Sequence, residues 1–220
     1  NSNYQSWMWK RHAGFDVVTT GPGKGSGEVI RHNLGRTPEM IWAKKRATSN
    51  WPGNSSDNYV LDNWFVWHKD ANSSSVAGYL NTTGVGGLNM VFTGEVNSVG
   101  AKFHSNITYT NDKSLMLFFA SVDGISKIGS YSGQTSTISV NLGFQPRFLF
   151  VKNITSTAGW VTLDTTRGWG SGNDNFMYLN SNAAQSSYAL GAPTSTGFDM
   201  AGGLGEVNDN GSTFIYYAHA

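Results

Sequence analysis

Asn33 to Lys45 reads Asn-Leu-Gly-Arg-Thr-Pro-Glu-Met-Ile-Trp-Ala-Lys-Lys, and Asn141 to Asn153 reads Asn-Leu-Gly-Phe-Gln-Pro-Arg-Phe-Leu-Phe-Val-Lys-Asn. At an offset of 108 residues (Asn141 against Asn33), Leu-Gly, the proline, two large apolar residues and a lysine stay in step. A period this long describes two copies of one domain rather than the short unit of a solenoid. Within each copy the Leu-Gly step makes a turn. The proline then opens a strand at a position where the ladder does not yet need its missing N–H. The apolar run after it has the continuity of a strand buried in a sandwich.

Working outward, the correspondence holds along the chain. Val18 to Gly21 is answered by Ile128 to Gly133, and Glu28 to His32 by Thr137 to Val140. Asn63 to His68 is answered by Gly159 to Asp164, Tyr79 to Asn81 by Tyr178 to Asn180, and Leu115 to Ala120 by Thr213 to Ala218. The offset falls to 96 at the pair Trp64 and Trp160, so the first copy carries a loop around Trp51 that is 12 residues longer. Loops absorb such insertions at little entropic cost.

Short β-branched and aromatic runs separated by Gly- and Asn-rich turns, with no capped helical period, predict an all-β protein. The expected architecture is two tandem homologous antiparallel β-sandwich domains with jelly-roll or Greek-key connections. Their expected bounds are 13–122 and 123–220, after a segment 1–12 that reads as a lead-in strand or an attachment arm.

Composition narrows the function. The 220 residues carry 15 basic and 14 acidic side chains, a net charge of +1, which argues against a broad nucleic-acid or anionic-membrane surface. No apolar run approaches the roughly 20 residues of a membrane-spanning helix. Cysteine is absent, so there is no disulfide framework, thiolate nucleophile or Cys-type zinc site. The chain begins at Asn1 rather than Met, the expectation for a processed product, a fragment or the ordered portion of something longer.

No catalytic constellation stands out. The five histidines (positions 12, 32, 68, 104 and 219) show no metal-binding spacing, and the carboxylates are scattered rather than paired as a glycosidase requires. The glycine-rich Gly21 to Gly27 lacks the Ser/Thr and the following helix of a phosphate loop. No cofactor is expected. The ligand candidates are Trp51 and Trp169, rings in polar glycine-containing loops of the kind that stack on sugars or fill interfaces. Asn173 and Asp174, after Gly170-Ser-Gly, offer oxygens to a calcium ion, or else form a plain Asx turn.

The strings Ala13 to Thr19 and Arg31 to Lys44 resemble a tandem β domain abundant in tail and other virion proteins of marine tailed phages. Phe119 to Gly133 resembles its junction between copies. Asp164 to Gly168, Ser171 to Asp174, Ala192 to Phe198 and Val207 to Ile215 are similar to its second copy. The first copy departs between Leu88 and Asn111, where it lacks the Ala-Pro-Thr-Ser-Thr stretch. The resemblance implies a non-enzymatic structural protein on the virion surface, in a tail fibre, distal tail or head decoration. Its implied partners are other virion proteins and further copies of itself. A carbohydrate-binding adhesin that uses Trp51 and Trp169 on host glycan is the alternative, with a polysaccharide depolymerase behind it.

Overall fold

A computed structural model describes residues 8–21, 27–46, 63–71, 78–86, 92–103 and 113–220. Trp51 with its loop, the glycines at 22–26, His104 and half of the divergent 88–111 stretch (88–91 and 104–111) lie outside the described residues.

The first half contributes β1 (Phe15–Thr19), β2 (Val29–Arg31), β3 (Met40–Arg46), β4 (Trp64–His68), β5 (Gly78–Tyr79), β6 (Phe92–Val96), β7 (Gly100–Phe103) and β8 (Lys113–Phe119). The second contributes β9 (Ser126–Ser132), β10 (Ile138–Asn141), β11 (Phe148–Asn153), β12 (Trp160–Asp164), β13 (Asp174–Tyr178), β14 (Ser186–Tyr188), β15 (Gly191–Thr194), β16 (Gly197–Met200) and β17 (Thr213–His219). The one helical element among the described residues is a 3-10 turn, Thr165–Arg167. The all-β expectation holds.

In the first half, a sheet ordered β1-β8-β3-β4-β5 faces a smaller one ordered β2-β7-β6. In the second, β9-β17-β11-β12-β13-β14 faces β10-β16-β15. The two orders match strand for strand, with β14 added at one edge. First and last strands pair on the large sheet, and the second pairs with the penultimate on the small one. That nesting is jelly-roll-like. The named ladders are antiparallel throughout.

Register refines one equivalence. Met40 pairs with Phe119 and Phe148 with His219, so backbone pairing relates β8 to β17 at an offset of 100. The sequence motifs alone suggest 98. Strands have a side-chain period of two, so a two-residue difference leaves the same side chains facing the same way.

Three apolar cores result. Ile41, Ala43, Phe65, Met116 and Phe118 meet Ile30, Ala101 and Phe103 inside the first sandwich. Leu149, Val151, Val161, Leu163, Phe214 and Tyr216 meet Phe198 and Met200 inside the second. The third lies between the halves, where Met40, Trp42, Val66 and Phe119 pack on Ile128, Phe150, Trp160, Ile215 and Tyr217. The large sheets therefore stack back to back, giving four layers in the order small, large, large, small. Alternation explains why these strands read as continuous apolar runs: Met40 and Trp42 serve the middle core while Ile41 and Ala43 serve the outer one.

Of the N-terminal segment 1–12, residues 8–12 are described. Trp9 sets its ring against Phe15, Trp42, Phe119 and Phe148 of its own chain, at centroid distances of 5.9, 6.1, 6.1 and 6.2 Å. It plugs one end of the middle core.

Candidate functional site

The loop after β12 begins at Asp164, whose carboxylate accepts the Arg167 N–H at 2.9 Å and so caps the 3-10 turn. Gly168 then takes a left-handed conformation (φ 104°), which turns the chain inward. Trp169 follows, its N–H donating to the Asp164 carbonyl at 3.0 Å, and its ring lies in the second sandwich's core at 2% exposure. The expected sugar-stacking platform is therefore absent at Trp169: the ring is a core side chain carried on a polar loop.

Asp174 is fully buried at the start of β13. Its Oδ1 accepts the Gly170 N–H at 3.0 Å, and its Oδ2 accepts those of Leu190 and Gly191 at 2.8 and 3.0 Å. Both oxygens are committed to backbone donors, so the carboxylate staples two loops to a strand instead of offering itself to a cation. Neighbouring Asn173 is exposed. Among the described residues no group of three His, Asp or Glu side chains gathers to hold a metal ion.

Polar chemistry concentrates instead where the halves meet. Glu39, from the repeated stretch, accepts Lys69 Nζ at 2.8 Å and the Ser121 N–H at 2.7 Å, and also binds the Ser121 hydroxyl. Burial on its own would raise this carboxyl. The hydrogen bonds from Lys69 and Ser121 outweigh burial and hold it below the ordinary range. Ser121 Oγ in turn accepts the Ile128 N–H at 3.0 Å, which ties the junction to the second half.

At the opposite side of the interface Lys152 is fully buried, and its Nζ donates to the carbonyls of Thr83 at 3.0 Å and Ala158 at 2.8 Å. Burial lowers its ammonium to about 8, partly offset by Glu206. Trp160 Nε1 donates across the same seam to the Tyr79 carbonyl at 2.8 Å. His68, also buried, is lowered to about 4, chiefly by burial. Sequence reasoning did not single out these groups for the interface, although the lysine kept in step (Lys44 and Lys152) was the available signal.

At the Trp9 end the seam opens into a cavity of about 520 Å³. Its lining comprises Met8, Trp9, Ala13, Val122, Ile125 and Phe148 with Lys10, His12 and His219. A family model described as a domain of unknown function (DUF7483) matches residues 2–220, across both sandwiches. No curated protein and no solved structure matches the chain.

Proposed function

The chain belongs to the family described as a domain of unknown function (DUF7483), and on that premise we propose that it is a non-enzymatic structural module on the surface of a phage virion. The observation that carries this reading is the middle core. Two sandwiches share a buried aromatic layer, so the pair acts as one stiff four-layer block rather than as two domains on a hinge. The side chains that first suggested a ligand support the same reading, since Trp169 and Asp174 are spent on holding a loop in place. The virion setting follows the resemblance of Ala13 to Thr19, Arg31 to Lys44 and Val207 to Ile215 to virion β domains. In this reading the block sits in a tail fibre, distal tail or head decoration, in contact with other virion proteins and further copies of itself.

With Trp169 buried, no described aromatic loop favours the adhesin, and it is not carried as a second reading. The test is localisation. Antibodies raised against the purified chain should decorate intact tailed-phage particles in electron micrographs at a fixed place on tail or head. Peptides of the chain should also co-purify with particles through a density gradient. A chain found only in infected-cell lysate and never on particles overturns the proposal.

A further inference from the structure

The cavity at the Trp9 end of the seam borders the middle core, against which Trp9 and Phe148 pack, and the structural role leaves its space unused. Trp9, Phe148 and Val122 form partly buried walls, while Met8 and Ile125 are exposed at 93% and 41%. Its volume of about 520 Å³ lies within the roughly 300–1,000 Å³ of small-molecule sites.

Every charged or titratable side chain in the lining is basic: Lys10 and His12 from the N-terminal segment, His219 from the end of β17. The imidazole rings of His12 and His219 stand edge to face with centroids 6.5 Å apart. The His12 Nδ1 accepts the Gly14 N–H at 2.9 Å, so the neutral ring carries its proton on Nε2, a donor. The His219 Nδ1 lies 2.9 Å from the Ala220 backbone oxygen, which can only accept, so Nδ1 is the donor of that bond and carries a proton.

An apolar pocket whose ionisable rim is entirely basic is complementary to a ligand with an apolar body and an anionic head. We propose that this cavity binds a single-chain amphiphilic carboxylate, with the hydrocarbon between Trp9, Ile125 and Phe148 and the carboxylate at His12, His219 and Lys10. The energetics fit that occupant. Burial, and then the neighbouring His219, lower the His12 imidazolium. A carboxylate beside it offsets that lowering and favours the charged His12 ring. Binding is therefore coupled to proton uptake and strengthens as pH falls through the histidine range.

The test uses the full 220-residue chain and isothermal titration calorimetry, with sodium dodecanoate as probe and dodecyl maltoside as neutral-headed control. Saturable one-to-one binding is expected, at least about tenfold tighter for dodecanoate than for the control and tighter at pH 6 than at pH 8. The double variant His12→Gln/His219→Gln should lose most of that head-group preference, and Ile125→Trp, which fills the pocket, should abolish binding. A circular dichroism melt matching the parent shows that each variant is folded. If a variant is not, His12→Asn/His219→Asn or Ile125→Phe takes its place. Equal affinity for both probes, or no pH dependence, overturns the assignment of an anionic head. No binding by the parent chain overturns the site. If the parent instead dimerises, and Ile125→Trp breaks the dimer, the cavity is a contact between copies and the proposal fails.

Discussion

The middle core makes the two sandwiches one cooperative unit, and Phe119→Ala tests this at its centre. Phe119 is fully buried, and its ring touches Phe15 at 5.0 Å, Trp42 at 5.0 Å, Trp9 at 6.1 Å and, from the second half, Tyr217 at 5.3 Å. Truncating a buried phenylalanine to alanine costs about 3–5 kcal/mol. Each aromatic pair adds about 0.5–1.5 kcal/mol beyond area burial, which places this site at the upper end. For a cooperative unit of 150–250 residues, 1 kcal/mol moves the midpoint by about 2–4 °C, so the variant should melt roughly 10–20 °C lower. In differential scanning calorimetry the parent should show one endotherm whose calorimetric and van't Hoff enthalpies agree, and the variant one endotherm displaced as a whole. The control Phe103→Ala, in the core of the first sandwich alone, should displace that same single transition. Two endotherms, of which only one moves with either variant, would refute the shared-core argument.

The remaining expectations are more local. Asp174→Ala should lower the thermal midpoint by the loss of three hydrogen bonds that its carboxylate accepts from backbone N–H groups, about 3 kcal/mol or more with a charged acceptor, and millimolar calcium should leave the parent's midpoint unmoved. His68 has a folded-state pKa lowered to about 4, below the 6.5 of the unfolded chain, so its contribution is fully present above pH 6.5. As pH falls from 6.5 towards 4 the unfolded state takes up the proton first, and stability is lost at up to about 1.4 kcal/mol per pH unit. Urea melts of the parent and of His68→Gln across that window should show the parent losing stability more steeply; parallel curves would contradict the assignment.

Much of the strand layout could be read from the sequence, because the pattern of side chains a strand needs is local. Leu142-Gly143 and Pro146 announce a turn and a strand start, and the alternation along Thr213–His219 fixes which side chains share a face. What sits on the far side of each large sheet was less plain. The runs Met40 to Ala43 and Phe214 to Ala218 were apolar on both faces, more than a two-layer sandwich uses. The surplus was the mark of a third core, but it reads equally well as a strand deep inside an ordinary sandwich. The candidate site failed for a different reason. Trp169 sits between two glycines in a polar loop, and local composition does not register that Asp164 and Gly168 together aim the ring inward. Asp174 looked available for the same reason, since its partners at Leu190 and Gly191 lie 16 and 17 residues away.

The two matching lysine–tryptophan pairs show what the two halves together have that neither holds alone. Lys44 lies opposite Trp64, and Lys152 opposite Trp160, at matching positions on the middle-facing side of their sheets. The ammonium-to-ring distances are nearly equal, 5.8 and 5.9 Å. The surroundings differ. Lys44 and Trp64 are half-buried, whereas Lys152 and Trp160 are fully buried. The difference comes from the first half, whose residues 78–83 lie over the second pair. Tyr79 and Thr83 supply carbonyls, and Gly78 approaches so closely that a Cβ there would fall 3.1 Å from the Gly84 carbonyl and 3.6 Å from the Trp160 ring. An ammonium lowered to about 8 is thus produced by the covering segment, not by the strand that carries it. The same motif without that cover stays partly solvated. Whatever this protein does through its seam, the working unit is the pair of sandwiches.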